Sequence, residues 1–241
     1  MRPGAWPSIA TLSLSVFCAA GANAATLTIA PVSVILDSGQ TSAVIEVKNS
    51  EPNPVTVQAR IYGWSQAGNE DVLAPTSDIV MSPPIATIAA GGSQTLRLLL
   101  RPGAQAGTDR ERHYRILLDE IPDANARRGR VSFAMRSSIP VFVMRPQPPT
   151  PSLGWRATRD GDGQVVITAT NSAAVYDRIF ELTATLNDGS VRNGVLRGTN
   201  AYVLPHAQRQ WVIPGGHGTG PIRLNITTRN GKTEQNLSIG Q

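Results

Sequence analysis

The chain of 241 residues is long for one β-sandwich and suits two domains of roughly 100 residues each. Its 22 Gly and 18 Pro fall well short of the roughly 25–30% that marks low-complexity disorder, and they punctuate short apolar runs. A formal charge of +5 is spread along the chain except for a small cluster at Arg127, Arg128 and Arg130, with no aromatic ladder beside it, which argues against nucleic acid as a partner.

The first residues read as an export signal. Arg2 supplies positive charge, 9–20 is an apolar stretch too short to span a bilayer, and Ala22-Asn23-Ala24 is a small-x-small cleavage site. Residues 1–24 are therefore expected to be removed, leaving a mature chain that begins at Ala25 with a formal charge of +4. An uncleaved anchor is the competing reading. Cys18 is the sole cysteine, so the exported chain would hold its domains together by core burial and without disulfides. No later stretch is apolar enough to cross a membrane, so no membrane insertion is expected.

From here the pattern alternates with a period of two, the signature of strands. Strands are expected over 27–36, 41–48, 55–62, 79–88, 96–101, 114–119 and 131–143. Turn signals at Asn53-Pro54, Gly91-Gly92, Pro102-Gly103 and Arg128-Gly129 separate them. Seven short strands in about 120 residues argue for a sandwich. The proline-rich run Arg145-Pro146-Gln147-Pro148-Pro149-Thr150-Pro151 marks a boundary, because proline gives a sheet no donor and stiffens the chain. A second alternating set occupies 164–170, 178–186, 191–196, 209–213 and 222–228, with hairpin turns at Asp160-Gly161-Asp162-Gly163 and Asn187-Asp188-Gly189. Lys48-Asn49-Ser50 is matched by Thr170-Asn171-Ser172, and 89–98 resembles 204–213. Two related sandwiches would produce these matches, and so would coincidence.

No catalytic constellation emerges. There is no thiol nucleophile after residue 18 and no G-x-S-x-G elbow. His113, His206 and His217 are far apart and lack metal-ligand spacing. Gly215–Gly220 lacks the Lys-Ser/Thr of a phosphate loop, and Asp160-x-Asp162-Gly163 lacks the remaining ligands of a calcium loop. Asn225-x-Thr227 and Asn236-x-Ser238 read as ordinary strand residues. The reading is no enzyme, no cofactor and no metal.

One segment stands out. Val131, Phe133, Met135, Ser137, Ile139, Val141 and Val143 share one parity over thirteen residues, a strand of about 43 Å and twice the usual length. At a sheet edge it would be an aggregation hazard kept for a partner that pairs with it. The alternative is a central strand buried on both faces.

Several short stretches, in order and spacing, resemble a known family. They are Ile29-Ala30-Pro31-Val32, Val47-Lys48-Asn49-Ser50, Ser82-Pro83-Pro84-Ile85-Ala86-Thr87-Ile88, 114–122 (YRILLDEIP) and 138–143 (SIPVFV). In the second half, Tyr202-Val203-Leu204-Pro205 with Arg209 and Trp211 also fits. The chain resembles the periplasmic pilus-assembly chaperones, the PapD-like superfamily, and within it those of archaic-type (spore-coat-protein-like) pili. The resemblance covers essentially all of 25–241.

The resemblance implies an all-β chain with two Ig-like β-sandwich domains in a boomerang arrangement, here 25–146 and 147–241. It implies that pilin subunits lacking a strand receive one from the first domain, that Val131, Phe133, Met135, Ile139 and Val141 fill the pilin groove, and that an outer-membrane usher accepts the complex. Cleft cations would anchor the pilin's terminal carboxylate. Ser33 and Val141 fall near the positions where better-known relatives carry those cations, so Arg115 and Arg136 become the anchor candidates. Arg115 has the opposite parity from Tyr114, Ile116 and Leu118. Glu120 and Arg145 match positions that join an interdomain ion pair in relatives, although no acid is evident beside Arg229-Asn230 to complete it. Whether the free protein caps its edge by forming a dimer is left open. The rival readings are a secreted tandem Ig-like adhesion module and a hydrolase.

Overall fold

The computed structural model describes residues 27–105, 111–122, 134–216 and 220–240. Among them there are only strands, turns and irregular segments, arranged as two sandwiches. The first contains β1 (Leu27–Ala30), β2 (Val34–Leu36), β3 (Ser42–Asn49), β4 (Val55–Ala67), β5 (Glu70–Pro75), β6 (Ile79–Ser82), β7 (Ile85–Ile88), β8 (Ser93–Leu100), β9 (Arg112–Ile121) and β10 (Arg136–Val143). One sheet runs β1-β3-β8-β6. The other runs β2-β10-β9-β4-β5, with β7 also on β4.

Alternation explains the packing. Ile45 and Val47 of β3, Leu96 and Leu98 of β8, Ile116 and Leu118 of β9, and Ile139 and Val141 of β10 fill one core between the sheets. Each contributes about 1.5–3 kcal/mol on burial.

The second sandwich contains β11 (Leu153–Arg159), β12 (Val165–Asn171), β13 (Asp177–Thr185), β14 (Val191–Asn193), β15 (Val195–Arg197), β16 (Tyr202–Val203), β17 (Gln208–Ile213), β18 (Ile222–Thr228) and β19 (Gly231–Leu237). Its sheets run β11-β12-β17-β15 and β14-β13-β18-β19, with β16 on β13. Ile167, Ala169, Trp211, Ile213, Leu224 and Ile226 are central to its core.

The internal sequence match has a physical counterpart. Asn49 and Asn171 are both buried at the ends of their strands. The Asn49 amide donates to the carbonyls of Asn53 (2.8 Å) and Ile88 (3.1 Å), and its Oδ1 accepts from the Glu51 N–H. The Asn171 amide donates to Val175 (2.8 Å) and Val203 (2.9 Å), and its Oδ1 accepts from the Ala173 N–H. The turns facing them also correspond: Gly92 N–H bonds Ala89, and Ala207 N–H bonds Leu204. The two sandwiches repeat one design.

The strand expected to be longest is not the longest described. β4 spans thirteen residues, while β10 begins at Arg136; Val131 and Phe133 lie outside the described residues. β5, β11, β16 and β19 were not expected. β5 and β19 carry mostly exposed side chains, so their sequences show little apolar alternation.

Candidate functional site

β10 is paired on one flank along its whole length by β9, from Arg136↔Asp119 to Val143↔Arg112. On the other flank, parallel β2 covers only Val141–Val143. Among the described residues no strand covers Arg136–Pro140 on that side. The Glu120 N–H donates to the Met135 carbonyl, so residues of odd number in β10 exchange backbone bonds with β9. Arg136 and Ser138 then direct their N–H and C=O groups to the open flank. Pro140, which has no N–H, stands where the open stretch meets β2, a position proline tolerates.

The side-chain parity requires a correction. Ile139 and Val141 face inward and belong to the core of their own sandwich, with Val141 fully buried. They cannot also fill a partner's pocket, because withdrawing them would empty that core. Met135 continues the same face beyond the packed end of the sandwich and is 48% exposed. The expected donor face is thus confined to the residues before β10 proper. Of these, Met135 is described, and Val131 and Phe133 are not.

Arg115 faces away from the first core, as its parity predicts, but lies under the second domain. It is only 6% exposed. Its guanidinium stacks 3.7 Å from the Trp64 ring centroid, with Tyr202 at 5.6 Å. Its Nη2 lies 3.8 Å from Asp71 Oδ2, too far for a hydrogen bond, and has no acceptor among the described residues. Burial pushes this guanidinium below its usual pKa, against the pull of Asp71.

Asp71 is the centre of the junction. The β4–β5 hairpin carries Gln66, Asn69 and Asp71 into the second domain. Gln66 donates to the Tyr202 carbonyl and accepts from the Leu204 N–H. Asn69 Oδ1 accepts from the Gln210 N–H. Asp71 accepts from Arg209, Asn200 and Gln66. Burial disfavours its charge, but the indole N–H of Trp64 (near, though not regularly hydrogen-bonded), Arg209 and Gln66 outweigh that, and the carboxyl stays below its ordinary range. Arg209 is 1% exposed and also donates to the carbonyls of Asn69 and Tyr202.

An apolar layer seals the contact: Trp64, Phe142 and Met144 meet Tyr176, Tyr202, Leu204 and Ala207, with Phe142 and Tyr176 stacked at 3.6 Å. The buried Glu111 carboxylate accepts from the Tyr176 N–H at 2.5 Å and pairs with His113 at 2.8 Å.

The other candidates fall elsewhere. Arg136 is exposed and donates to Asp119, which also takes Arg60 at 2.5 Å; the two cations hold that carboxyl below its usual range. Glu120 pairs with Val57, five residues along β9 from Arg115 and so about 16 Å from the Asp71 network. That distance corrects its expected interdomain role, since a glutamate side chain cannot span it. Arg145 follows the opposite end of β10. The acid sought beside Arg229-Asn230 comes from another strand: Asp177 accepts from Asn230 at 3.2 Å and lies 4.0 Å from Arg229. Trp64, Asp71 and Glu111 went unnoticed in the sequence, because the second-domain partners that place them at the junction, Tyr202, Arg209 and Tyr176, lie 65 or more residues away.

Two Ig-like sandwiches are joined by a polar hub, and the first has a partly open edge beside a buried arginine. The family model for the pili and flagellar-assembly chaperone, PapD N-terminal domain, matches residues 26–149, and the chain belongs to that family. It is 31% identical over 133 residues to the chaperone protein HifB of Haemophilus influenzae, a match covering 52% of this chain and 53% of that protein. The chain therefore aligns with about half the length of this relative. It is 26% identical over 173 residues to the fimbrial chaperone YhcA of Escherichia coli, covering 72% of each. In fold it is similar to the chaperone–tip adhesion subunit complex CsuC–CsuE from the archaic Csu pili of Acinetobacter baumannii, with a TM-score of 0.65, 24% identity and coverage of 90% of this chain and 100% of that one. It is also similar to the complex of SafA pilin with the SafB chaperone of Salmonella enterica, with a TM-score of 0.60, 19% identity and coverage of 87% and 94%.

Proposed function

We propose that the chain is a periplasmic chaperone that binds pilus subunits by lending them the strand that ends in β10, then passes them to an outer-membrane usher. Its work is binding and involves no bond chemistry. The observation that carries the reading is the open flank at Arg136–Pro140, on a strand whose other flank is fully paired. Unpaired N–H and C=O groups there are a template for strand addition. An adhesion module would keep that edge closed.

Arg115 is the proposed anchor for the subunit's terminal carboxylate. It is the register partner of Pro140, where an added strand must stop against β2. A buried guanidinium nitrogen without an acceptor favours an anion. Arg136 is the weaker candidate because Asp119 already holds it.

The test is co-expression with a strand-deficient pilus subunit. Met135→Asp and Phe133→Asp should each lower subunit recovery sharply while the chaperone stays folded. Undiminished recovery with both well-folded variants would refute the reading.

A further inference from the structure

The junction sets two arginines, Arg115 and Arg209, around the single carboxylate of Asp71, and it treats them unequally. Asp71 Oδ1 accepts from Arg209 Nη2 and from Gln66 Nε2; Oδ2 accepts from Asn200 Nδ2 and, at 3.5 Å, from Thr199 Oγ1. A carboxylate offers about four lone-pair sites, and here all four are in use. Arg209 is satisfied in turn, with Nε on the Tyr202 carbonyl and Nη1 on the Asn69 carbonyl. Arg115 receives the field of Asp71 across 3.8 Å, the face of Trp64 and, at 5.6 Å, that of Tyr202. Its Nη2 is buried with no acceptor among the described residues.

We infer that Arg209 is a positioning residue for the anchor: by occupying Asp71 it keeps Arg115 on the face of Trp64 and not neutralised, so that Arg115 can donate to a carboxylate that enters the junction. The inference rests on the anchor reading above. Without Arg209, Oδ1 of Asp71 loses its guanidinium donor, and Arg115, 3.8 Å from the adjoining Oδ2, becomes the nearest remaining cation. A turn of the carboxylate that brings the freed Oδ1 to Arg115 would form a charge-assisted pair inside the chain and consume the anchor. Arg209 thus prevents the protein's own acid from taking the place of the ligand.

The experiment follows the side-chain Nε–Hε signal of Arg115 by NMR during titration with N-acetylglycine, a minimal terminal carboxylate, against N-acetylglycinamide. In the wild-type chain the acid shifts the signal and the amide does not. Arg209→Gln should weaken the response to the acid about tenfold, the loss of one charge-assisted bond. Arg209→Lys, which keeps a charge on Asp71 but loses the fork geometry, should fall between the two. Asp71→Asn in the Arg209→Gln background should recover the wild-type response to within about twofold, since no competing charge remains. A merely structural arginine would give a double variant as weak as the single one or weaker. An unchanged response in Arg209→Gln, or no recovery in the double variant, overturns the inference and leaves the anchor reading standing. A wild-type Arg115 signal indifferent to N-acetylglycine removes both.

Discussion

Pro140 of β10 lies directly across the ladder from Arg115 of β9, at the residue where the open flank of β10 gives way to β2. A strand added to that flank would otherwise be free to slide by two residues and keep its parity. A cation one strand away from the stopping point fixes the register. Arg115→Ala should therefore lower subunit capture by roughly 10- to 100-fold, the range of a hydrogen bond to a charged group. Arg115→Lys should restore part of it, because a point charge lacks the fork. Arg136→Ala should matter little, since that side chain is exposed and bound to Asp119. Quantitative pull-down of the subunit checks the order.

Ile139 and Met135 share a face of one strand but not a role. Ile139→Ala should destabilise the first domain by about 2–5 kcal/mol, seen in denaturant unfolding. Met135→Ala should change stability by less than about 0.5 kcal/mol and still reduce subunit capture. Equal stability losses from the two would mean that Met135 is packed in solution.

The all-β class and most core positions were legible because alternation is local: Val47, Leu98 and Ile116 announce their face by their neighbours. Length and parity marked the strand as unusual, and the family resemblance suggested an open edge, but parity alone could not show where the sandwich ends. Ile139 and Val141 were therefore assigned to a partner when their own core takes them. The Asp71–Arg209 pair was not legible, because it joins residues 138 apart and needs the β4–β5 hairpin to reach across domains. Arg115 could be given a face from its sequence, but not the Trp64 ring that covers it.

The paired asparagines offer a stability test. Asn49→Ala and Asn171→Ala each remove a buried amide that bridges backbone carbonyls, three for Asn49 and two for Asn171, and a turn N–H. Each should cost about 2–4 kcal/mol in its own domain, because the orphaned backbone groups stay buried. Unfolding curves read by domain-specific probes should show the two losses falling on different transitions.

Acid should loosen the junction. The Asp71 carboxyl is held below its unfolded value of 3.8, so its contribution is fully present above about pH 4 and disappears as pH falls through the lower folded value. The unfolding free energy should decline as pH falls below about 4, and Asp71→Asn should flatten part of that decline. Parallel wild-type and variant curves would exclude a role for Asp71 in this window.

The most direct test of strand lending is amide hydrogen exchange at Ser138. Its N–H points to the open flank, on the opposite side of the strand from the bonds made to β9. In the free chain it should exchange quickly, while the Ile139 and Val141 amides, which bond to β9, stay protected. In complex with a strand-deficient pilus subunit, Ser138 should slow by roughly 100-fold or more, about 2.7 kcal/mol of added protection. A stable complex in which Ser138 exchanges as fast as in the free chain would contradict the account.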